Sequence, residues 1–276
     1  MVNLKEDIQV EEGHPRAESI RIREKLTGNV ETKVLALAGL IAHGRGEAFD
    51  YILGEKTTTA GMRGITAAAA ALLIAEHPVI SVNGNAAALC AEDIVILSKA
   101  SGAKLEVNLF HRLPGREEAI ERVLRRAGAQ EILGVGEAAS ARIKEVFSER
   151  RKVDSRGIYA ADIVLVPLED GDRTEGLVRM GKMVITVDLN PLSRTAQFAG
   201  ITIVDNLVRA MPLLVSEVER LKPLDREDLK RILSSYSNRE VLSESIKIME
   251  ERLHSLAEKG IYIKPDVKKE NSEPRG

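Results

Sequence analysis

The 276-residue chain is 44% hydrophobic and 30% charged, enough apolar material for one large or two small packed domains and too much for a chain disordered throughout. Lys and Arg number 40 against 42 for Asp and Glu, so the formal charge of −2 supplies no field to draw in a polyanion, and nucleic acid is not an expected partner. The single cysteine, Cys90, excludes an internal disulfide and any Cys-based zinc or redox motif; no apolar run reaches the ~20 residues of a membrane span and Met1 to Gln9 is no signal peptide, so the expectation is a cytoplasmic protein with no membrane partner.

In chain order, the first ~75 residues read as helical, with Ala17 to Leu26, Glu31 to Ile41 and Ala67 to Ala75 as the candidates, and form an N-terminal helical cap over 1–76. Inside it, His43-Gly44-Arg45-Gly46-Glu47 reads as a glycine-flanked loop that offers a cation at close backbone approach. From 77 to 206, β-branched runs alternate with helix-like segments, the pattern of a parallel sheet wrapped by helices in the α/β class. The expected strands are Val79 to Asn83, Leu105 to Leu109, Glu131 to Val135, Asp162 to Pro167, Met183 to Leu189 and Ile201 to Val204. Between them lie Ala86 to Ala100, Arg116 to Ala127, Ala138 to Arg151, Thr174 to Met180 and a short turn-helix near Ser193 to Ala199. Runs such as Ile163-Val164-Leu165-Val166 carry no alternation, so both sheet faces should be covered. A helical C-terminal tail follows over 207–262, in three stretches: Leu207 to Lys222, Arg226 to Ser235 and Arg239 to Lys259. The charged stretch 263–276 reads as a disordered tail, and with no linker to divide the chain, 1–276 is read as a single α/β domain.

In an open parallel sheet, ligands collect outside the carboxyl ends of the strands. The expected strands run out into Asn83-Gly84-Asn85, Asn108, Gly134-Val135-Gly136-Glu137, Glu169-Asp170-Gly171-Asp172, Asp188-Leu189-Asn190 and Asp205-Asn206. Each exit alone is an ordinary turn; six together describe a ligand-binding crevice. Gly134 to Glu137 matches a dinucleotide fingerprint only weakly, and there is no Walker-type glycine-lysine loop, so a nucleotide would need another device. Arginine supplies one, because its planar fork matches phosphate; Arg16, Arg21, Arg23, Arg45 and Arg194 are the candidates. His14 and His43 flank these arginines and are candidates for acid-base or phosphate-contacting roles, whereas the five histidines together show no metal-ligand spacing and no protein-held metal is expected.

His14-Pro15-Arg16, the stretch Gly39 to Tyr51, Pro78 to Asn85, Val166 to Thr174 and Asp188 to Thr195 resemble the archaeal phosphopantothenate synthetases (4-phosphopantoate:β-alanine ligases), over about Asn3 to Leu253. The resemblance implies a Rossmann-like core, a homodimer, and an ATP-dependent ligase of coenzyme A biosynthesis that joins 4-phosphopantoate to β-alanine and releases AMP and diphosphate. It carries ATP contacts onto Arg23, Arg45, Asp188, Leu189, Asn190, Ser193, Arg194, Asp205 and Asn206. An acyl adenylate on that route calls for cations around phosphate and implies Mg²⁺ beside ATP. Strand-end geometry puts phosphopantoate near Asn83, Asn85, Asn108, His14 and Arg16, while Glu47, Asp170 and Asp172 are candidates for Mg²⁺ contact or for taking the β-alanine proton. Two rival readings share the fold class: an NAD(P)-dependent oxidoreductase using Gly134 to Glu137, and a non-catalytic nucleotide-binding protein.

Overall fold

The computed structural model describes residues 17–110, 112–146, 148–168 and 171–260; His14, Arg16, Asp170 and the 263–276 tail lie outside the described residues. Three helices come first, α1 (Ala17–Gly28), α2 (Leu37–Leu53) and α3 (Thr59–Ile74). The alternating core follows as β1 (Pro78–Val82), α4 (Gly84–Ser101), β2 (Lys104–Val107), α5 (Arg116–Arg126), β3 (Ala141–Arg142), β4 (Lys152–Val153), β5 (Ile163–Pro167), α6 (Gly171–Arg179), β6 (Met183–Val187), α7 (Arg194–Phe198) and β7 (Ile201–Ile203). The chain then continues through α8 (Leu207–Leu221), α9 (Arg226–Ser234) and α10 (Asn238–Lys259). Among the described residues no helix is long and apolar enough to cross a membrane.

The main sheet has five parallel strands in the order β2-β1-β5-β6-β7. Because β2 lies to one side of β1 and β5, β6 and β7 to the other, the order reverses between β1 and β5, and a doubly wound sheet opens a crevice at that reversal. Alternate strand residues explain the unbroken apolar runs. Ile80, Leu105, Leu165, Ile185 and Ile203 face the layer of α3, α4 and α8, whereas Val79, Val164, Val166 and Val184 face Ile143, Val153, Ile158 and Leu177. Both faces are thus dry, as such strands require. The Ala67 to Ala71 run of α3 is wholly buried, and these small side chains let the helix lie close against β7 and α8. At Gly64 the approach is tightest: a Cβ there would fall 2.5 Å from the carbonyl oxygen of Thr202 in β7.

Two sequence expectations fail in the same region. The segment 131–135 is not a strand: it makes a single parallel bridge, Leu133 to Glu106, beyond the edge strand β2. Ala138 to Arg151 is not a helix but one 3-10 turn at Gly136–Ala138, the short antiparallel pair β3-β4, and a second 3-10 turn at Glu149–Arg151. Tertiary contacts override propensity here, because the buried Glu106 side chain accepts the backbone N–H groups of Asp154 at 3.0 Å and Ile158 at 2.6 Å. The region is therefore pinned to β2 as loop. Glycine is required on both sides of that carboxylate: Cβ atoms at Gly157 and Gly134 would lie 2.0 Å from Glu106 Oε2 and 2.7 Å from Glu106 Cγ. Gly134 is thus a packing glycine, and no α-helix follows it to receive a pyrophosphate, which removes the structural basis of the dinucleotide-loop reading.

The third correction concerns α2. The expected helix 31–41 is displaced to 37–53, and His43 to Glu47 is helix interior instead of a loop. The left-handed closure at Gly54 (φ 105) ends the helix, and Gly44 and Gly46 each weaken it by about 1 kcal/mol relative to alanine. Gly39 admits the neighbour that holds it: a Cβ there would fall 2.4 Å from Asn85 Oδ1, and Asn85 Nδ2 donates to the Gly39 carbonyl at 2.9 Å. This hydrogen bond ties α2 to the start of α4, above the carboxyl end of the sheet.

Candidate functional site

A cavity of about 570 Å³ lies between α2 and the carboxyl ends of the strands, within the size range of small-molecule sites. Its floor is the strand exits: Asn83 after β1, Leu109 after β2, Leu168 after β5, Asp188 after β6 and Asp205 after β7. Helix α2 forms the opposite wall through Gly39, His43, Arg45, Gly46 and Glu47. Arg45 and Asp188, 143 positions apart in sequence, therefore share one chamber.

The exits are built by side chains that first satisfy backbone. Asn83 caps α4, its Oδ1 accepting the Ala86 N–H at 2.9 Å while its Nδ2 donates to Pro167 O at 3.4 Å, so it spans the reversal between β1 and β5. Asp188 accepts the Asn190 N–H at 2.9 Å and the Ser193 hydroxyl at 2.5 Å, and Ser193 in turn caps α7 through the Ala196 N–H. This fixes the turn Asp188-Leu189-Asn190, all three residues of which line the cavity. Asn206 caps α8 and donates to Asp50 at 2.9 Å. Arg209 joins Asp50 at 2.5 Å and Asp205 at 2.8 Å, and Asp205 also accepts the Thr57 hydroxyl at 2.5 Å. The network clamps α2 and the segment leading to α3 onto the start of α8.

On α2, Glu47 accepts hydrogen bonds from Ser19, from Arg23 at 2.7 Å and from Tyr51 at 3.1 Å. Burial alone would raise its pKa, but the Ser19 hydroxyl and the Arg23 guanidinium outweigh that and hold the carboxyl below its usual range. His43, one turn earlier, is lowered by burial and by Arg23 against the opposing pull of Glu47, so it is neutral at pH 7 and carries a lone pair.

The remaining expected residues stand elsewhere. Arg23 is absent from the cavity wall and neutralises Glu47 from α1. Arg194, with 64% of its side chain exposed, pairs with Glu175 of α6 at 2.6 Å and does not line the cavity. Asp172 lies in the first turn of α6, also off the wall. Asn108 is fully buried beneath the site: its Nδ2 donates to the carbonyls of Arg150 and Lys152 at 3.1 and 3.2 Å and its Oδ1 accepts from Arg173 at 2.9 Å. A carboxamide spent on three protein partners is support, not a ligand contact. Sequence reasoning missed two arginines of the wall, Arg116 at the start of α5 and Arg150 before β4. The basic run Arg150-Arg151-Lys152 is the available signal, masked by the expectation of a helix or turn-helix over Ala138 to Arg151.

Among the described residues no group of three or more His, Cys, Asp or Glu side chains could hold a metal ion. The family model described as phosphopantothenate/pantothenate synthetase matches residues 60–252. A 4-phosphopantoate–β-alanine ligase of Thermococcus kodakarensis is 51% identical over 261 residues, which is 94% of this chain and 99% of the relative. The protein of the same name from Methanosarcina mazei is 50% identical over 88% of this chain and 95% of its own length, and that of Methanospirillum hungatei is 43% identical over 88% and 98%.

Proposed function

Since the chain belongs to the phosphopantothenate/pantothenate synthetase family, we propose that it is itself a 4-phosphopantoate–β-alanine ligase of coenzyme A biosynthesis, using ATP and forming AMP and diphosphate through an acyl adenylate. The observation that carries this reading is the match at about half identity across nearly the full length of this chain and of its relatives. The cavity agrees with it. A carboxylate does not condense with an amine in water; it must first be adenylated, and both partners must then be held in one water-poor chamber.

In this reading the nucleotide occupies the end of the cavity bounded by Arg45, the Asp188 to Asn190 turn, Asp205 and Asn206, where carboxylate and amide acceptors suit ribose and base and the guanidinium suits phosphate. Mg²⁺ fits as the companion of a triphosphate, which needs only one or two protein carboxylates beside phosphate oxygens and water, and Glu47 is the ionised carboxylate on the α2 wall. When bound it would neutralise charge developing on the leaving diphosphate. Glu47 is a weak base with its lowered pKa, and because Ser19, Arg23 and Tyr51 already donate to it, it would offer a cation only its remaining acceptor position. His43, neutral beside it, is the better group to take the β-alanine ammonium proton. Asn83 and Asn85 face the acid substrate.

The test is incubation of the protein with ATP, 4-phosphopantoate and β-alanine, following AMP and 4′-phosphopantothenate by chromatography. One AMP per 4′-phosphopantothenate is expected. Formation of ADP instead, or no turnover by folded protein that binds ATP, rejects the adenylating ligase. The homodimer implied by the resemblance would scatter light in solution as twice the 30.2 kDa chain mass, and the cytoplasm is the compartment this reading gives the enzyme.

A further inference from the structure

A second cavity, of about 490 Å³, lies between the first half of α3 and the end of α9, and none of its lining residues lines the chamber under α2. Its hydroxyl groups have their protons committed. Thr57 donates to Asp205 at 2.5 Å, Thr59 to Glu244 at 2.8 Å, Thr66 to Glu217 at 2.6 Å and Ser235 to the Ile232 carbonyl at 2.7 Å. Ionised carboxylates and carbonyls only accept, so these four oxygens present lone pairs alone to whatever enters. Arg63, the cation in the lining, already donates to Glu240 at 3.1 Å and to Glu244 at 2.9 Å. With Glu217 held by Arg220 at 2.7 Å, three carboxylates stand against two guanidinium groups around the cavity.

We infer that this cavity is a binding site for a linear aliphatic diamine, a class of ligand that the ligase reading does not call for. Thr59 and Thr66 are seven residues apart in the unbroken helix α3, which sets them on one face and about 10 Å apart along its axis. Met62 stands between them in the same stretch of helix, and with Ala67, Ile232 and Tyr236 it supplies an apolar wall. The lining thus carries hydrogen-bond acceptors at two separated places and hydrocarbon between. An ammonium group is a donor three times over and never an acceptor, so one at each end of a methylene chain matches that order, and the excess of carboxylates favours its charge. An anion would meet hydroxyl groups with no proton to offer and an arginine shared by two glutamates. A chain with one ammonium would satisfy one end and lay hydrocarbon against the acceptors of the other.

The experiment is calorimetric titration of the full-length protein, with no nucleotide or substrate present, using octamethylenediamine, tetramethylenediamine, octylamine and octanoate. The long diamine should bind one site per chain, about ten-fold or more tighter than octylamine or the short diamine, each of which reaches one set of acceptors only; octanoate should not bind. Thr66→Val keeps the shape of the side chain and removes its oxygen. It should weaken the long diamine about ten-fold and bring it close to octylamine. Ser235→Ala, at an exposed position outside the core, should weaken the long diamine by a few-fold, and it serves as the second variant should Thr66→Val unfold the protein. Equal affinities for the long diamine and octylamine, binding of octanoate in their place, or a diamine affinity indifferent to both substitutions would overturn the assignment. Because no nucleotide enters the titration, its outcome is independent of whether the chain adenylates a carboxylate.

Discussion

At the scale of single residues, Arg45 and Arg194 separate two ways of meeting a nucleotide. Arg45 is on the cavity wall, whereas Arg194 is committed to Glu175 and would have to abandon it. Arg45→Ala is therefore expected to raise the KM for ATP ten-fold or more, about the worth of one charge-assisted hydrogen bond, and Arg194→Ala by distinctly less; steady-state kinetics on both variants check the order. Glu106 makes a different prediction. Burial pushes its carboxyl up to about 7, against the lowering effect of the Ile158 and Asp154 N–H groups. A raised folded-state pKa stabilises the fold fully below pH 4.5, and that contribution is lost as pH rises through 7, by roughly 3 kcal/mol in all. Urea denaturation at pH 4.5 and pH 8 should show the fall, and Glu106→Gln should remove this component of the slope while costing stability through one lost backbone acceptor. The side chains that line the site were readable at the strand ends Asn83, Asp188 and Asp205, though not at Asn108, whose carboxamide is spent on protein partners. Arg116 and Arg150 were not, because their place on the wall depends on contacts with Val34, Asn108 and Phe110 that no local pattern encodes.

At the scale of elements, the glycines of the helices divide into those that admit a neighbour and those that do not. Gly64→Ala would drive α3 and β7 apart, since the intruding Cβ meets a backbone oxygen; a loss of about 2–3 kcal/mol is expected by chemical denaturation, overriding the gain in helix propensity. Gly44→Ala in α2 meets nothing within 4 Å and should stabilise the protein by about 0.5–1 kcal/mol. These two cases also explain why the sheet was legible in the sequence and α2 was not. β1, β5 and β6 announce themselves by apolar residues on both faces, a property of each strand alone. The glycines at 44 and 46 look like loop punctuation, but a Cβ at Gly44 would meet nothing within 4 Å and Gly46 sits on the cavity wall against Leu189. The stretch from Glu131 to Lys152 was misread for the converse reason: its residues suit a strand and a helix, but the buried Glu106 carboxylate takes the backbone N–H groups just beyond it and holds the region as loop.

At the scale of the whole molecule, α2 is fastened to the end of β7 and the start of α8 by a buried polar cluster, Asp50, Asp205, Asn206 and Arg209. Asp50→Ala leaves Arg209 with a single carboxylate in a largely buried place, and a loss of about 3 kcal/mol together with a higher KM for ATP is expected, because the same cluster backs the Asp205 end of the cavity. Denaturation and kinetics on one preparation test both halves. Finally, α4 bends at Cys90 (φ −137, ψ 32), and the bend leaves the chain's single thiol sealed in the core with its pKa pushed up to about 12 by burial. Such a sulfur is inert to alkylating reagents for as long as the core stays shut. The rate at which iodoacetamide modifies the native protein thereby becomes a clock for transient opening, readable by mass spectrometry without label or probe. Substrates that tighten the fold should slow that clock, and each substrate's effect can be ranked with one reagent and no engineered residue.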